Sequence, residues 1–360
     1  MLELKTEVLQ KMVNKSIHGA SNNKLIPLTS YVSVSWSPSV LHMLTTDGMN
    51  YLEVATTLDG VEADAFTAVV RADTFAKLVR KLSGDSVKLD LSDKYLVVES
   101  GGTYKLELLL DDDDNPVPFR MPFDNLVGKE KLGDIDRETI NRVMTSLKPS
   151  LAVSTAQPHY CCYRVGDEII ATDTSLISVL NKKVFDVARL ISAECMNLLD
   201  VITADGASVS AYKVEDAVVF VSGSDCLFTR VPAGIENYNA DAIKGFTSSD
   251  FPYHCTLSVG ALIDTLERIA LFIGEYDAGA VNFAFDADGV TISSKNTSGV
   301  EQVQYETNDQ EDEYTCIMDI NSALTVFKAQ TSQVVDVYYG ADQTIKIVDG
   351  DLVTIVALMY

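Results

Sequence analysis

Three stretches of the chain read as copies of one another: VVESGGTYKLELL at 97–109, VFVSGSDCLFTRV at 219–231 and KIVDGDLVTIVAL at 346–358. Each is an apolar run, a glycine, and a second run in which apolar and polar residues tend to alternate. That is the pattern of two antiparallel strands joined by a tight turn. The three glycines are spaced by 122 and 127 residues. Upstream of each hairpin lies an apolar stripe at helical spacing: Phe75, Leu78, Val79 and Leu82; Cys195, Leu198, Leu199 and Ile202; Ile320, Ala323, Leu324 and Phe327. A second trio of stripes comes earlier in each repeat: Leu9, Met12, Val13 and Ile17; Ile140, Val143, Met144 and Leu147; Leu262, Ile263, Leu266 and Ile269. Each of these precedes a strand–turn–strand, at 44–48, 171–174 and 292–296. Three hairpins in step with six stripes predict an α+β chain of three repeats. The stretches 110–133, rich in Asp and Pro, and 244–252 read as linkers, giving domains 1–122, 123–250 and 251–360.

Composition narrows what such a chain does. With 28 Lys and Arg against 52 Asp and Glu, its 360 residues carry a formal charge of −24. That balance excludes coating by nucleic acid or anionic membrane over the whole outer surface, though not a small basic region within an acidic shell. The six cysteines, Cys161, Cys162, Cys195, Cys226, Cys255 and Cys316, form no CxxC pair and read as reduced small hydrophobes. The N-terminal MLELKTEVLQKMV is charged where a signal peptide is apolar. No window approaches the roughly 18 apolar residues of a membrane span. The expectation is a cytoplasmic protein without a membrane partner.

A search for catalytic apparatus finds little. His18, His42, His159 and His254 are scattered, and no Walker loop, GxGxxG, GxSxG or HExxH occurs. Ser21 and Lys24 fit SxxK in a loop-like patch without its companion motifs. The acidic runs 111–114 and 309–313 read as solvated loops rather than cation sites. The expectation is a binding protein, not an enzyme, with no cofactor and no metal.

The repeat, at this chain length, resembles the bacterial DNA polymerase III beta subunit, the processivity sliding clamp, and its phage relatives. The likeness covers the whole chain and rests on TEVLQKMVNKSIHGASNNKLIPLTSYVSVS at 6–35, ATDTSLISV at 171–179 and LVTIVALMY at 352–360. It implies the DNA-clamp fold: three repeated domains, each with two helices packed on antiparallel sheets, closed into a ring. It also implies a head-to-tail homodimer around double-stranded DNA, without sequence readout, that tethers DNA polymerase and clamp-loader subunits through short peptide motifs.

Sites follow from the resemblance and from the charge pattern. In the windows 6–18, 73–82, 136–148, 186–203, 258–275 and 319–330, eleven basic residues balance eleven acids, so the whole −24 sits elsewhere. At 100° per residue, Lys11 and Lys15 oppose one apolar stripe, and Lys77, Arg80 and Lys81 another. With Arg137, Arg142 and Lys148 these are the expected DNA-facing residues, weakest in the third repeat. By the resemblance, Thr172, Ile177, Ile243, Val356, Leu358 and Met359 would line a partner-peptide pocket. The same resemblance puts Tyr104 and Leu106 against Leu271 and Phe272 of a second copy at the dimer interface. Thr174, Ser175 and Leu176 stand where the family has Gly-His-Arg, and the chain ends in ALMY, so its peptide preference is its own. The alternative reading is an acidic clamp-fold scaffold or DNA mimic that does not encircle DNA.

Overall fold

The computed structural model describes all residues except 154, 155, 205, 207, 275, 276, 309–312, 342 and 360. The acidic run expected at 309–313 therefore lies almost entirely outside the described residues, as do Glu275 and Tyr360.

All three hairpins form: Tyr95–Glu99 with Thr103–Glu107, Ala217–Ser222 with Asp225–Arg230, and Thr344–Asp349 with Leu352–Ala357. At their turns Gly101, Gly223 and Gly350 have φ of 66°, 60° and 62°. A left-handed backbone costs any L-residue about 1–2 kcal/mol. A Cβ at these positions would meet nothing within 4 Å, so torsion alone demands the glycine.

The helices among the described residues are α1 Thr6–Ser16, α2 Ala72–Arg80, α3 Arg137–Arg142, α4 Ala193–Ile202, α5 Ala240–Thr247, α6 Val259–Ala270 and α7 Ile320–Lys328. Their buried faces carry the expected stripes, with Ile17, Leu78, Met144, Ile263 and Leu324 only half-buried at the margins. Three expectations change. The window 186–203 begins as the strand Arg189–Ser192, and α4 starts only after it. α3 continues as a π-helical stretch, Val143–Leu147, where the Ser146 hydroxyl donates to Ala329 O (2.7 Å). The linker read at 244–252 opens inside α5, whose N-terminus is capped by Asn239 accepting from Ala242 N–H.

The chain divides into two compact units, Met1–Arg137 with Glu194–Val231, and Glu138–Ala193 with Pro232–Tyr360. The first holds a four-stranded sheet, ending in Thr103–Glu107 as an edge, and an eight-stranded sheet. In the eight-stranded sheet Asp225–Arg230 lies antiparallel beside Asn50–Thr57, with Phe228 opposite Tyr51. The second unit holds one twelve-stranded sheet. Within it Leu352–Ala357 lies antiparallel beside Leu176–Leu180, with Ile355 opposite Ile177. Phe228 and Ile355 are each the fifth residue after the turn glycine, and Tyr51 and Ile177 each the fourth after an aspartate, Asp47 or Asp173. The two seams share one register.

The C-terminus is tied in more tightly than the sequence indicates. Leu358 N–H donates to Gln343 O and Met359 N–H to Ile317 O, both at 2.8 Å, and Leu358 packs half-buried on the core of the second unit. These residues continue the packing past the last strand. Ending the chain at Ala357 should lower unfolding free energy by about 2–3 kcal/mol, from one half-buried leucine and two hydrogen bonds. Urea denaturation checks this, and an unchanged midpoint would refute it.

Candidate functional site

α1 and α2 lie side by side because their polar edges interlock. Gln10 Nε2 donates to Val79 O (3.1 Å) and Leu82 O (3.0 Å), satisfying carbonyls at the end of α2. Arg80 Nε donates to Asn14 Oδ1 (2.8 Å). With Leu9, Met12, Val13, Phe75 and Val79 buried beneath, the outward face carries Lys11, Lys77, Arg80 and Lys81, all exposed. Lys77 lies 3.7 Å from Asp73 one turn back, an exposed pair worth a few tenths of a kcal/mol.

The other expected DNA-facing residues part company here. Lys15 turns inward, its Nζ 3.0 Å from Asp225 Oδ2, with side chains 15% and 8% exposed. Arg142 turns inward likewise, its Nη2 2.9 Å from Asp349 Oδ2, with side chains 15% and 2% exposed. Arg137 donates to the carbonyls of Thr203 (2.9 Å) and Ala204 just past the end of α4, where a cation suits the helix dipole. Lys148 is exposed beyond the π-helical stretch. On α6 and α7 the cations are matched: Arg268 grips Glu301 with two nitrogens (2.7 and 2.8 Å), and Lys328 lies 2.7 Å from Glu267.

The six pocket residues do not converge. Ile177 and Ile243 share a cluster with Cys162, Ile170, Tyr238 and Ile355, flanked by Tyr160 and Val353. Val356 alternates to the opposite face and joins Leu176 and Leu358 in the main core of the second unit. Met359 borders a separate 410 Å³ cavity with Asn282, Tyr314 and Ile317. Tyr160 and Tyr238, edge to face at 5.2 Å, were missed by sequence reasoning. Their only signal was two tyrosines in loop-like stretches. Thr172 is buried as a turn former: its Oγ1 donates to Leu176 O (2.7 Å) and accepts from Thr174 N–H. Of the four interface residues, Leu106 is core at 8% exposure, while Tyr104, Leu271 and Phe272 stand exposed. Burial pushes the thiols of Cys226, Cys255 and Cys316 up to about 12, which makes them inert at neutral pH.

The turn at Thr172 matches the turn at Thr46, where Oγ1 donates to Asn50 O (2.6 Å) and accepts from Gly48 N–H. Gly48 has φ 101°, and its counterpart Thr174 has φ 80°. A β-branched side chain is strained there. Thr174→Gly should therefore stabilise the protein by about 1 kcal/mol, read as a raised thermal midpoint. A lowered midpoint would show that the turn is not strained.

Asp349 is the most enclosed carboxylate of the charged pairs. Its burial alone would raise the carboxyl, but the Ser332 hydroxyl, Thr331 N–H and Arg142 guanidinium outweigh that and hold it below the ordinary aspartate range. A depressed folded value stabilises the fold above the unfolded range and loses that contribution as pH falls through it. Asp349→Asn should cost about 2–4 kcal/mol at neutral pH by stranding Arg142. It should also flatten the fall in stability below about pH 4. Denaturation from pH 2.5 to 7 tests both, and parallel curves for the two proteins would rule out the assignment.

No protein-family profile matches the chain, and no curated protein matches it. Solved structures do. A DNA polymerase sliding clamp from Bacillus subtilis superposes with TM-score 0.85 at 16% identity, covering 100% of this chain and 98% of that one. The DNA polymerase beta subunit of Streptococcus pyogenes gives 0.85 at 14% identity, covering 99% of each. A C. crescentus beta sliding clamp, with PEG bound at a proposed beta-motif tethering region, gives 0.83 at 17% identity, covering 100% and 99%. The chain has the clamp fold over its full length.

Proposed function

We propose that this chain is a DNA sliding clamp of three domains, 1–122, 123–250 and 251–360, that closes head to tail with a second copy around duplex DNA in the cytoplasm. It tethers a replicative polymerase and performs no chemistry. One observation carries the reading. In a chain of charge −24, the joined outer face of α1 and α2 gathers Lys11, Lys77, Arg80 and Lys81. A ring that must slide wants a few solvated cations near phosphate and no base contacts, since tight or specific contacts would arrest it. The exposed pairs of Arg268 with Glu301 and of Lys328 with Glu267 offset the cations of α6 and α7, in keeping with the third repeat contributing least.

The likeness to sliding clamps across the full length supports the tethering role. We place the partner peptide over the half-buried margin, Tyr160, Ile235 and Val353, of the buried cluster that holds Ile177, Ile243 and Tyr238. Val356 belongs to the core rather than to that surface.

The pairing of α6 and α7 cations together with the net charge also favours a second reading, an acidic scaffold that keeps the fold without encircling DNA. The triple variant K77E/R80E/K81E separates the two. On nicked circular DNA it should shorten the retention of loaded protein at least tenfold at moderate salt, and K77E/K81E, which keeps the Arg80–Asn14 hydrogen bond, should also shorten it with an unchanged thermal midpoint. Equal retention of variant and wild type would remove α2 from the DNA face. Failure of wild type to be retained on circles at all would favour the scaffold.

A further inference from the structure

We infer that the first seam, between Asn50–Thr57 and Asp225–Arg230, carries a second peptide groove, and that residues 117–126 of the chain are its built-in ligand and close it to partner peptides. The inference deepens the tethering reading above and rests on it. The two seams share one register, so a peptide surface at one has a counterpart at the other. At the second seam the facing residues are Ile177 and Ile355, which share a cluster with Tyr238 and Ile243. At the first seam they are Tyr51 and Phe228. The stretch that covers this pair is PVPFRMPFDNLV at 116–127.

Inward and outward side chains alternate along that stretch. Val117, Phe119, Met121 and Phe123 are buried or half-buried, whereas Pro118, Arg120, Pro122 and Asp124 are exposed. This is the period of a β-strand, yet residues 118–124 make no backbone hydrogen bond among the described residues. Prolines at 116, 118 and 122 remove N–H groups that a sheet would need. Side chains do the holding instead. Phe119 joins Leu44 and Val69 in one cluster, and Met121 packs against that cluster and its neighbour. Phe123 stacks on Phe228, with ring centres 6.2 Å apart and planes 15° apart, and Tyr51 meets Phe228 edge to face at 5.9 Å. A Pro-rich extended segment seated on aromatic rings is held as a peptide ligand is held. Backbone bonds pin only its two ends: Val117 N–H donates to Leu109 O (3.2 Å), and Lys213 N–H donates to Glu130 O (2.9 Å). It also leaves the groove underfilled, since a 630 Å³ cavity borders Phe119, Met121 and Phe123 together with Leu44 and Glu53 of the sheet. A tethered occupant competes at an effective concentration on the order of millimolar, so a free peptide of equal intrinsic affinity is shut out. The chain thus has two seams of one register and offers one peptide site.

Loosening the built-in ligand tests this. The probe is a fluorescein-labelled synthetic copy of residues 116–127 with a benzophenone side chain in place of Phe123. It is titrated against the full chain by anisotropy and located by photo-cross-linking. M121S/F123S strips two half-buried anchors and leaves Phe119, Tyr51 and Phe228 in place. F123A strips one and is the gentler variant, and both are checked for a cooperative thermal transition. Probe affinity should rise at least tenfold in M121S/F123S and by less in F123A, with cross-links on 44–57 or 219–228. A probe with serine in place of Val117, Phe119 and Met121 should not bind. Equal probe affinity for wild type and both variants would overturn the inference, and so would cross-links elsewhere. Cross-links confined to 160–177 or 235–243 would put the probe at the second seam, overturning the second groove while leaving the tethering reading standing. The measurement uses no DNA and no polymerase, so its failure is distinct from failure of the clamp on circles.

Discussion

Backbone hydrogen bonding between strand edges governs this molecule. No repeat finishes its own sheets. Asn50–Thr57 needs Asp225–Arg230 as its neighbour, and Leu176–Leu180 needs Leu352–Ala357. An unpaired strand edge holds a row of N–H and C=O groups that must find partners. Meeting that demand from the next repeat along makes continuous sheets from separate hairpins. It also explains why the compact units cut across the middle repeat instead of between repeats.

Charge is sorted on the same frame. Cations on the first helices divide between two jobs according to which face of the stripe they occupy. Lys15 and Arg142 are drawn into nearly enclosed pairs with turn aspartates, whereas Lys11 remains on the exposed face shared with α2. A cation in a partly enclosed pair holds two elements in place and adds little to the field outside. An exposed one acts chiefly through the field. The residues that define the surface field of unit one are therefore fewer than a count of helix lysines and arginines indicates.

Much of the architecture was legible in the sequence because it is repeated. A glycine that must have positive φ, followed by alternation, marks each hairpin. The stripes at 9, 12 and 13 or 75 and 79 mark faces that must be buried. Three kinds of feature were not legible. Helix α5 is short and is set by one Asn239 cap and the burial of Ile243, too little pattern to separate from a linker. The face on which Val356 and Ile355 lie follows from strand register, which one residue of slip reverses. The inward turn of Lys15 and Arg142 depends on aspartates 210 and 207 residues away, and no periodicity points to them. Resemblance singled out Ile177 and Ile243, which share a buried cluster, but no pattern in the sequence pointed to Tyr160 and Tyr238 beside them.

The stitched edges set an order of events when the chain is made. Tyr51 waits for Phe228, and Ile177 for Ile355, partners more than 170 residues later. A ribosome moving at roughly 5–20 residues per second takes on the order of ten seconds or more to supply each one. Throughout that interval a nascent chain carries an open strand edge at 50–57, then for a time at both 50–57 and 176–180, and finally at 176–180. Pairing across such long separations is slow, and an edge exposed while it waits invites the wrong neighbour. Hairpin by hairpin, the emerging protein passes its unfinished edge forward until Leu352–Ala357 leaves the tunnel.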